Sequence, residues 1–348
     1  MERYGKITIM VFLSFIIGLI IYFCFGHYVG WNIFNDVFNQ FNLYYLAVIL
    51  LITVAIVLAG ALRLNEIASS YGEKKSFYNI FKTYLGSYSI AYLFPIAILS
   101  GELFKVYGLR REGIGLEKSI SFILIERVMD WTFNLSIILL GMITFSIGLN
   151  YFPSQIVAIC SFLSFVMISL LFIFYLNIVR RNSIIAYIAK KLLRKKIDDD
   201  HLLLEIEKDI YNYFDYRNWS LYKSIFLSAL KIFLMQLRIA LVIMFITGIT
   251  IPFFHTFPII GFSQLSSLIP IPAGLGAYEL SQIVVFSSIG LSHSSAVSSS
   301  IMIRFTEVTI CLLGVFYIFK AGFSFIGNKL NIFEITEDYN KLKNDDQT

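Results

Sequence analysis

The sequence predicts an all-α polytopic membrane protein with about six full spans and two re-entrant helical hairpins broken by proline and glycine. Three observations favour this fold class. Hydrophobic residues make up 57% of the 348 residues and charged residues only 15%, against roughly a quarter in a soluble domain. Six apolar runs reach the length of about 20 residues that crosses a bilayer. Two more apolar regions, 80–100 and 252–291, are interrupted.

The six long runs lie at about 7–25, 43–62, 119–148, 155–179, 224–249 and 297–319. The first run resembles a signal peptide, but no small-residue cleavage site follows it, so we interpret it as a retained span. Lysine and arginine are absent from 26–42 and frequent in 63–82. Since cytoplasmic loops carry these residues, we expect a multi-pass protein of the cell (plasma) membrane with both termini in the cytoplasm.

The first interrupted region, 80–100, has basic residues on both flanks. A single crossing would leave one basic flank outside, whereas a re-entrant hairpin keeps both in the cytoplasm. Such non-helical backbone survives at membrane depth only where protein or water surrounds it. The second region, 252–291, contains no lysine or arginine and is expected to enter from the opposite face. The residues predicted to form the two re-entrant loops are Pro95, Gly101, Pro270, Pro272, Gly274 and Gly276.

The largest polar region, 180–223, has ten basic and seven acidic residues and is predicted to be a cytoplasmic loop. It is either an ordinary loop of this kind or, near 184–196, an amphipathic helix on an anionic surface. Its length is too short for a catalytic domain. We therefore assign 1–325 to a single transmembrane domain and 326–348 to a short polar cytoplasmic tail.

An internal repeat relates the two interrupted regions. A shift of 177 residues superimposes residues of like type: Pro95 and Pro272, Glu102 and Glu279, Arg127 and Arg304, and Asp130 and Glu307. With opposite faces of entry, the two copies form an inverted repeat, which in transporters surrounds a site near the midplane. Chance similarity between two apolar stretches is the alternative that the sequence leaves open.

Several charged residues lie deep within the predicted spans. Glu126, Arg127 and Asp130 are two to three turns into one span, and Arg304 and Glu307 repeat the pattern in another. Each deep charge costs about 2.5–3.5 kcal/mol on insertion, so these residues must pair or face a wet cavity. They are either structural salt bridges or a polar site whose arginines attract a phosphate.

Three further basic residues are candidates for the same site. Arg238 lies mid-span, seven residues after Lys231. Lys105 either pairs with Glu102, three residues before it, or lies at a cytoplasmic mouth. Snorkelling accounts for the two lysines but not for Arg238, which is too deep.

The phosphate-binding hypothesis assigns a role to each of these side chains. Lipid phosphate is held by Arg127, Arg304, Arg238 and Lys105, and the cavity carboxylates are Glu102, Glu126, Asp130, Glu279 and Glu307. Asp130 and Glu307 hold the arginines when the site is empty, and Glu102 and Glu279 anchor the hairpin tips. The histidines and cysteines lack metal-ligand spacing, so we expect neither a metal nor another cofactor, and no catalytic residue is assigned.

At these residues the chain resembles the lysylphosphatidylglycerol synthase transmembrane-region family, also called flippase-like domain proteins. The similar features, within about 5–325, are Pro95 with Gly101-Glu102, Glu126-Arg127-x-x-Asp130, and Pro272-x-Gly274-x-Gly276-x-x-Glu279. In bacterial multiple peptide resistance factors, a similar domain moves aminoacylated phosphatidylglycerol between leaflets and a fused soluble domain makes that lipid. The resemblance implies a stand-alone member here, without the synthase domain or its activity.

These observations together predict a transporter-like membrane protein that handles or translocates an anionic phospholipid or a lipid-linked glycan between leaflets. Two alternatives stay open: an accessory subunit of a separate synthase or glycosyltransferase, and an intramembrane transferase that modifies lipids or lipid-linked sugars. Membrane lipids are the expected partners. Nucleic acid is not, because the basic residues lie at the ends of apolar runs rather than on one patch.

Overall fold

The computed structural model describes residues 42–93, 100–148, 154–179, 202–267, 271 and 276–345. The predicted span 7–25, the basic segment 184–196 and the loop residues Pro95, Pro270, Pro272 and Gly274 lie outside these ranges. Within them the chain forms ten α-helices and one 3-10 turn and no strand, which confirms the all-α prediction. The helices are α1 Leu43–Ser70, α2 Phe77–Leu93, α3 Ser100–Arg111, α4 Leu116–Gly148, α5 Ser154–Val179, α6 Leu202–Tyr213, α7 Trp219–Thr247, α8 Thr256–Ser267, α9 Ala277–Ser288 and α10 His293–Asp345.

Four helices in the described part of the chain are long and apolar enough to cross a membrane. Their spans are Leu43–Ser70, Leu116–Ser146, Trp219–Thr247 and His293–Phe319, and they coincide with four of the six predicted runs. Helix α5 coincides with the predicted run 155–179. Large apolar side chains such as Leu312 and Phe316 are exposed on the outer surface, where lipid rather than water suits them. The protein is therefore a helical membrane-spanning protein.

The connection 180–223 contains structure that the sequence interpretation did not place. Helix α6 lies within it and packs against α4. Tyr213, at the end of α6, is buried, and its hydroxyl lies 2.6 Å from Ser224 Oγ of α7. Helix α7 begins at Trp219, five residues before the predicted start, because the Asn218 side chain accepts a hydrogen bond from Ser220 N–H and caps it.

Four shorter helices form two hairpins in the regions that the sequence predicts to be interrupted. Helices α3, α8 and α9 have twelve residues each, and α2 has seventeen. At 1.5 Å per residue they extend about 18 Å and about 26 Å, less than the roughly 30 Å of a hydrocarbon core. Helix α2 packs against α3, and α8 packs against α9.

Each hairpin packs against a long helix that is distant from it in the sequence. Helices α1 and α7 lie side by side, α8 packs against α4, and α2 packs against α10. Glycines permit the close approach: a Cβ atom on Gly141 of α4 would lie 2.7 Å from the Phe257 carbonyl oxygen of α8. On Gly314 of α10, an added Cβ would come even closer to the Leu85 carbonyl oxygen of α2. Small residues at such crossings let membrane helices pack tightly.

Candidate functional site

Charged side chains from six helices lie buried or partly buried within the protein and form ion pairs in two sets. The first network consists of Arg63, Lys105, Glu126, Asp130 and Lys231. The second set, called the second network below, consists of two separate ion pairs, Arg238–Glu307 and Glu279–Arg304. Each network joins side chains from different helices, so tertiary packing determines which charges meet.

Arg63 of α1 lies at the centre of the first network and is 1% exposed. Its Nη2 atom is 2.9 Å from Asp130 Oδ2 and 3.3 Å from Glu126 Oε1, both on α4. Its Nη1 atom donates a hydrogen bond of 3.0 Å to Ser228 Oγ of α7. One guanidinium group therefore bridges three helices, which suits its planar arrangement of donors.

Two lysines complete the first network. Lys105 of α3 places its Nζ atom 2.8 Å from Glu126 Oε2 and over the ring of Tyr84. Lys231 of α7 places its Nζ atom 3.0 Å from Asp130 Oδ1. Three cations thus share two carboxylates, and the first network has a formal charge of +1.

Arg238 of α7 forms one ion pair of the second network. Its Nη2 atom lies 3.0 Å from Glu307 Oε1 of α10, and its Nη1 atom donates to Thr53 Oγ1 of α1 at 3.4 Å. Thr53 in turn hydrogen-bonds Thr306 Oγ1 at 3.1 Å. The guanidinium group is nearly buried, whereas Glu307 is partly exposed.

Glu279 holds the start of α9 and an arginine at the same time. Its two carboxylate oxygens face Arg304 Nε at 2.5 Å and Nη2 at 3.0 Å, a bidentate pair. Its Oε2 atom also accepts a hydrogen bond of 2.8 Å from the N–H of Gly276. Gly276 has a φ of +80°, a conformation that glycine adopts readily. The half-helix predicted to begin near Gly276 does so, and the Glu279 carboxylate caps its first turn.

The same acid–arginine pair occurs at both copies of the proposed repeat. Glu102 Oε1 lies 2.5 Å from Arg127 Nη2, with the same separation of 25 residues as Glu279 and Arg304. The central helices show a second correspondence: Arg63 of α1 donates to Ser228 of α7, and Arg238 of α7 donates to Thr53 of α1. In both helices the arginine follows the hydroxyl residue by ten positions. These matched contacts join the two halves of the chain.

A cavity of about 250 Å³ lies beside the second network. It is bounded by residues of α2, α7, α8, α9 and α10 and by Ile271. Arg238 and Glu307 are the charged residues in its lining, and Met235, Ile239 and Ile260 contribute apolar surface. The remaining polar side chains of its lining are Tyr92, Ser263, Gln264, Ser266, Ser267 and Tyr278. A polar cavity therefore lies between helices of the membrane-spanning part.

The structure pairs most of the predicted site residues with one another and adds Arg63 and Lys231 as further partners. Glu307 pairs with Arg238. Asp130 contacts Arg63 and Lys231, which had not been considered as its partners. The expected pairing of Lys105 with Glu102 was wrong, because Lys105 is buried and contacts Glu126 instead. Gly101 lies in the first turn of α3, and an added Cβ would be 2.8 Å from the Ser87 carbonyl oxygen.

Arg63 is the functional candidate that the sequence interpretation missed. It was counted with the basic flank 63–82, yet it lies within α1, seven residues before the helix ends. A signal was present: Leu64, Ile67 and Ala68 continue the apolar spacing of a helix beyond the run 43–62, and all three are buried. A basic residue inside such a continuing pattern is a core residue rather than a loop residue.

The fold and the charged networks define a class: a polytopic helical membrane protein with a polar site between its helices. The family model described as the lysylphosphatidylglycerol synthase TM region matches residues 9–314. The chain therefore belongs to that family, a membrane domain associated with lipid handling, and the resemblance noted from the sequence is confirmed. None of the curated proteins compared with the chain matches it.

Proposed function

We propose that the protein moves an anionic phospholipid or a lipid-linked glycan between the leaflets of the cell membrane. The observation that carries this proposal is the cavity whose wall contains the Arg238–Glu307 pair, between helices of the membrane-spanning part. A guanidinium group binds a phosphate as readily as it binds a carboxylate. The family's association with lipid handling supports the same conclusion.

In this proposal the two hairpins are re-entrant and related as an inverted repeat. With the N-terminus in the cytoplasm, α2–α3 enters from the cytoplasmic face and α8–α9 from the opposite face. The two acid–arginine pairs separated by 25 residues, and the reciprocal contacts between α1 and α7, support this arrangement. Repeats of this kind surround the substrate sites of many transporters.

The networks then occupy two depths along the central helices. Arg63 lies seven residues from the end of α1 at Ser70, and Arg238 lies nine residues from the other end of the bundle, at Thr247. At 1.5 Å per residue these depths are about 11 Å and about 14 Å. Under the proposed topology the first network lies in the cytoplasmic half of the membrane and the second in the outer half, and a head group passes from one to the other.

Ion-pair exchange provides the mechanism. A lipid phosphate that enters the cavity competes with Glu307 for Arg238, and the arginine keeps an anionic partner throughout. Breaking a buried pair without such a replacement costs about 3–5 kcal/mol. Separation of Arg238 from Glu307 is therefore favourable only when the anionic head group is present. Helix movement that depends on this separation is thereby coupled to the cargo, while the acyl chains remain in lipid.

The direct test is lipid exchange between leaflets in vesicles that contain the purified protein. Labelled phosphatidylglycerol or a labelled polyprenyl phosphosugar is placed in one leaflet and its appearance in the other is followed. We expect Arg238→Gln to slow exchange at least tenfold, whereas Arg217→Gln, which removes the same charge from an exposed position, leaves the rate unchanged. Equal rates for both variants and the parent would refute the proposal.

Two further measurements keep this test interpretable. If Arg238→Gln does not fold, the paired variant Arg238→Met/Glu307→Met removes both charges together, a change that buried pairs often tolerate. Exchange at the parent rate in the folded paired variant would also count against the proposal. Recovery of chemically altered lipid from the vesicles would instead favour the intramembrane transferase alternative.

A further inference from the structure

Arg238 carries one positive charge and can neutralise one anion of the cavity at a time. In the structure that anion is Glu307, whose Oε1 atom lies 3.0 Å from Arg238 Nη2. When a lipid phosphate takes this guanidinium group, as the proposed function requires, the Glu307 carboxylate loses its cation. Both side chains line the cavity, so a head group that fills the cavity also displaces water from the carboxylate. Glu307 is then an anion with neither a cation nor bulk water beside it.

Two neighbouring cations are held by other carboxylates. Arg304, three residues before Glu307 on α10, faces the two oxygens of Glu279 with Nε at 2.5 Å and Nη2 at 3.0 Å. Lys231 belongs to the first network and lies seven residues, about 10 Å, from Arg238 along α7. At equal dielectric constant, a charge at about 10 Å attracts less than about a third as strongly as a charge in contact. Neither cation therefore replaces Arg238 as the partner of Glu307.

The other titratable side chains around Glu307 are uncharged at neutral pH. Phenol and thiol groups keep their protons there, so they can hydrogen-bond a carboxylate but do not neutralise it. Helix α1 contributes Thr53, which does not titrate. The titratable groups are Tyr88 and Tyr92 of α2, Tyr278 of α9 and, one turn further along α10, Cys311.

A proton removes the charge that Glu307 would otherwise carry. A buried carboxylate without an ionic partner takes up a proton rather than remain charged. Tyr92 Oη is buried and makes no hydrogen bond to the described residues. Ser267 gives its own proton to the Gln264 carbonyl oxygen at 2.7 Å, which leaves its lone pairs available. Both residues line the cavity, so acceptors for the O–H group of a neutral Glu307 lie in the same cavity.

We propose that Glu307 is a proton-binding site and that an anionic head group binds Arg238 together with one proton. The proton comes from water and forms an O–H bond on the Glu307 carboxylate as the Arg238–Glu307 pair separates. When the phosphate leaves, Arg238 returns to Glu307 and the proton returns to water. The formal charge of the site is zero before and after binding, so lipid and proton cross together without net movement of charge. This inference rests on the proposed function and names its coupling ion.

The first test counts protons during lipid binding to the purified full-length protein in detergent. Short-chain phosphatidylglycerol is titrated into the protein in two buffers of different ionisation enthalpy, and the difference in heat gives the number of protons taken up. The phosphodiester of this lipid stays ionised throughout the range used. We expect uptake of about one proton per lipid, and an affinity that rises as the pH falls from about 8 to about 6, by up to about tenfold per unit. Absence of proton uptake would overturn the inference.

A neutral variant assigns the proton to Glu307. Glu307→Gln carries an amide of similar shape that takes up no proton, so its affinity for phosphatidylglycerol should not change over the same pH range. Glu117→Gln, at an exposed position in the first turn of α4, is the matched control and should keep the pH dependence of the parent. Proton uptake that persists in Glu307→Gln would show that another group binds the proton and would overturn the assignment.

Infrared difference spectroscopy gives a second measurement in case Glu307→Gln does not fold. Binding of an ether-linked phosphatidylglycerol, which has no ester carbonyl group, should produce the carbonyl band of a protonated carboxylic acid in the parent. Glu307→Asp keeps an ionisable group and should shift the frequency of this band. A band that is absent from the parent, or unchanged in Glu307→Asp, would count against the proposal.

Failure of this inference and failure of the proposed function give different results. If the parent binds phosphatidylglycerol without proton uptake and Arg238→Gln still weakens binding, proton coupling is wrong and the transport proposal stands. If Arg238→Gln weakens binding of no phospholipid, the phosphate site itself is wrong and both proposals fall.

Discussion

Loss of the Glu126 carboxylate should destabilise the protein more than loss of a neighbouring cation. Three cations and two carboxylates give the first network a formal charge of +1. Glu126→Gln raises that charge to +2 and removes the ionic partner of Lys105 at 2.8 Å and of Arg63 at 3.3 Å. Leaving a buried charge without its partner costs about 3–5 kcal/mol, and we expect a loss of this size in the free energy of unfolding.

The opposite change should be milder. Lys105→Met leaves two cations and two carboxylates, so no charge is left in excess, and we expect a cost of about 1.5–3 kcal/mol for the lost charged hydrogen bond. The double variant Lys105→Met/Glu126→Gln returns the network to +1. It should therefore be more stable than Glu126→Gln alone, with a coupling energy of at least about 1 kcal/mol between the two positions.

Equilibrium unfolding in mixed micelles of increasing denaturing-detergent content, followed by tryptophan fluorescence, measures all four proteins. Glu117→Gln, at an exposed position in the first turn of the same helix, provides the control and should be close to neutral. Additive effects of the two substitutions, or equal effects of Glu126→Gln and Lys105→Met, would show that charge balance does not govern this network.

Three further predictions concern helix contacts and one surface ion pair. Gly141→Val places a side chain against the Phe257 carbonyl oxygen and should cost about 1–3 kcal/mol, measured as a lower melting temperature in detergent. Glu279→Gln weakens the acceptor that anchors the start of α9 and should accelerate amide hydrogen exchange in its first turn; unchanged exchange would contradict this role. A hydrogen bond from Lys118 lowers the pKa of the Glu73 carboxyl, so the pair stabilises the protein above the usual glutamate pKa and loses this effect as the pH falls below it. Glu73→Gln should therefore lower stability by less than about 1 kcal/mol at neutral pH and leave it unchanged in acid.

The long helices could be predicted from the sequence because the thickness of a bilayer sets the length of an apolar run. The start of α9 could be predicted as well, since proline and glycine around Gly276 limit where a helix can begin. Helix α6 was harder to find, because it has only 12 residues, too few to span a bilayer, and its apolar face packs against α4 rather than lipid.

The partners of the deep charges could be predicted only in part. Spacing along a helix identifies neighbours three or four residues apart, but Glu126 finds its partners on α1 and α3. Arg63 was missed for a related reason: the rule that assigns basic residues at the end of an apolar run to a loop cannot distinguish a loop from the last two turns of a buried helix. The 25-residue separation from acid to arginine, in contrast, marked two pairs that do meet in the structure.

The reciprocal contacts between the central helices have a consequence for biosynthesis. Arg63 needs Ser228, and Asp130 needs Lys231, both from helix α7, which the ribosome makes 165 and 101 residues later, respectively. Until helix α7 inserts, polar side chains of the earlier helices lack some of their hydrogen-bond and ion-pair partners. The two halves therefore mature as one unit, and fragments divided between them should accumulate only when both are expressed in the same cell.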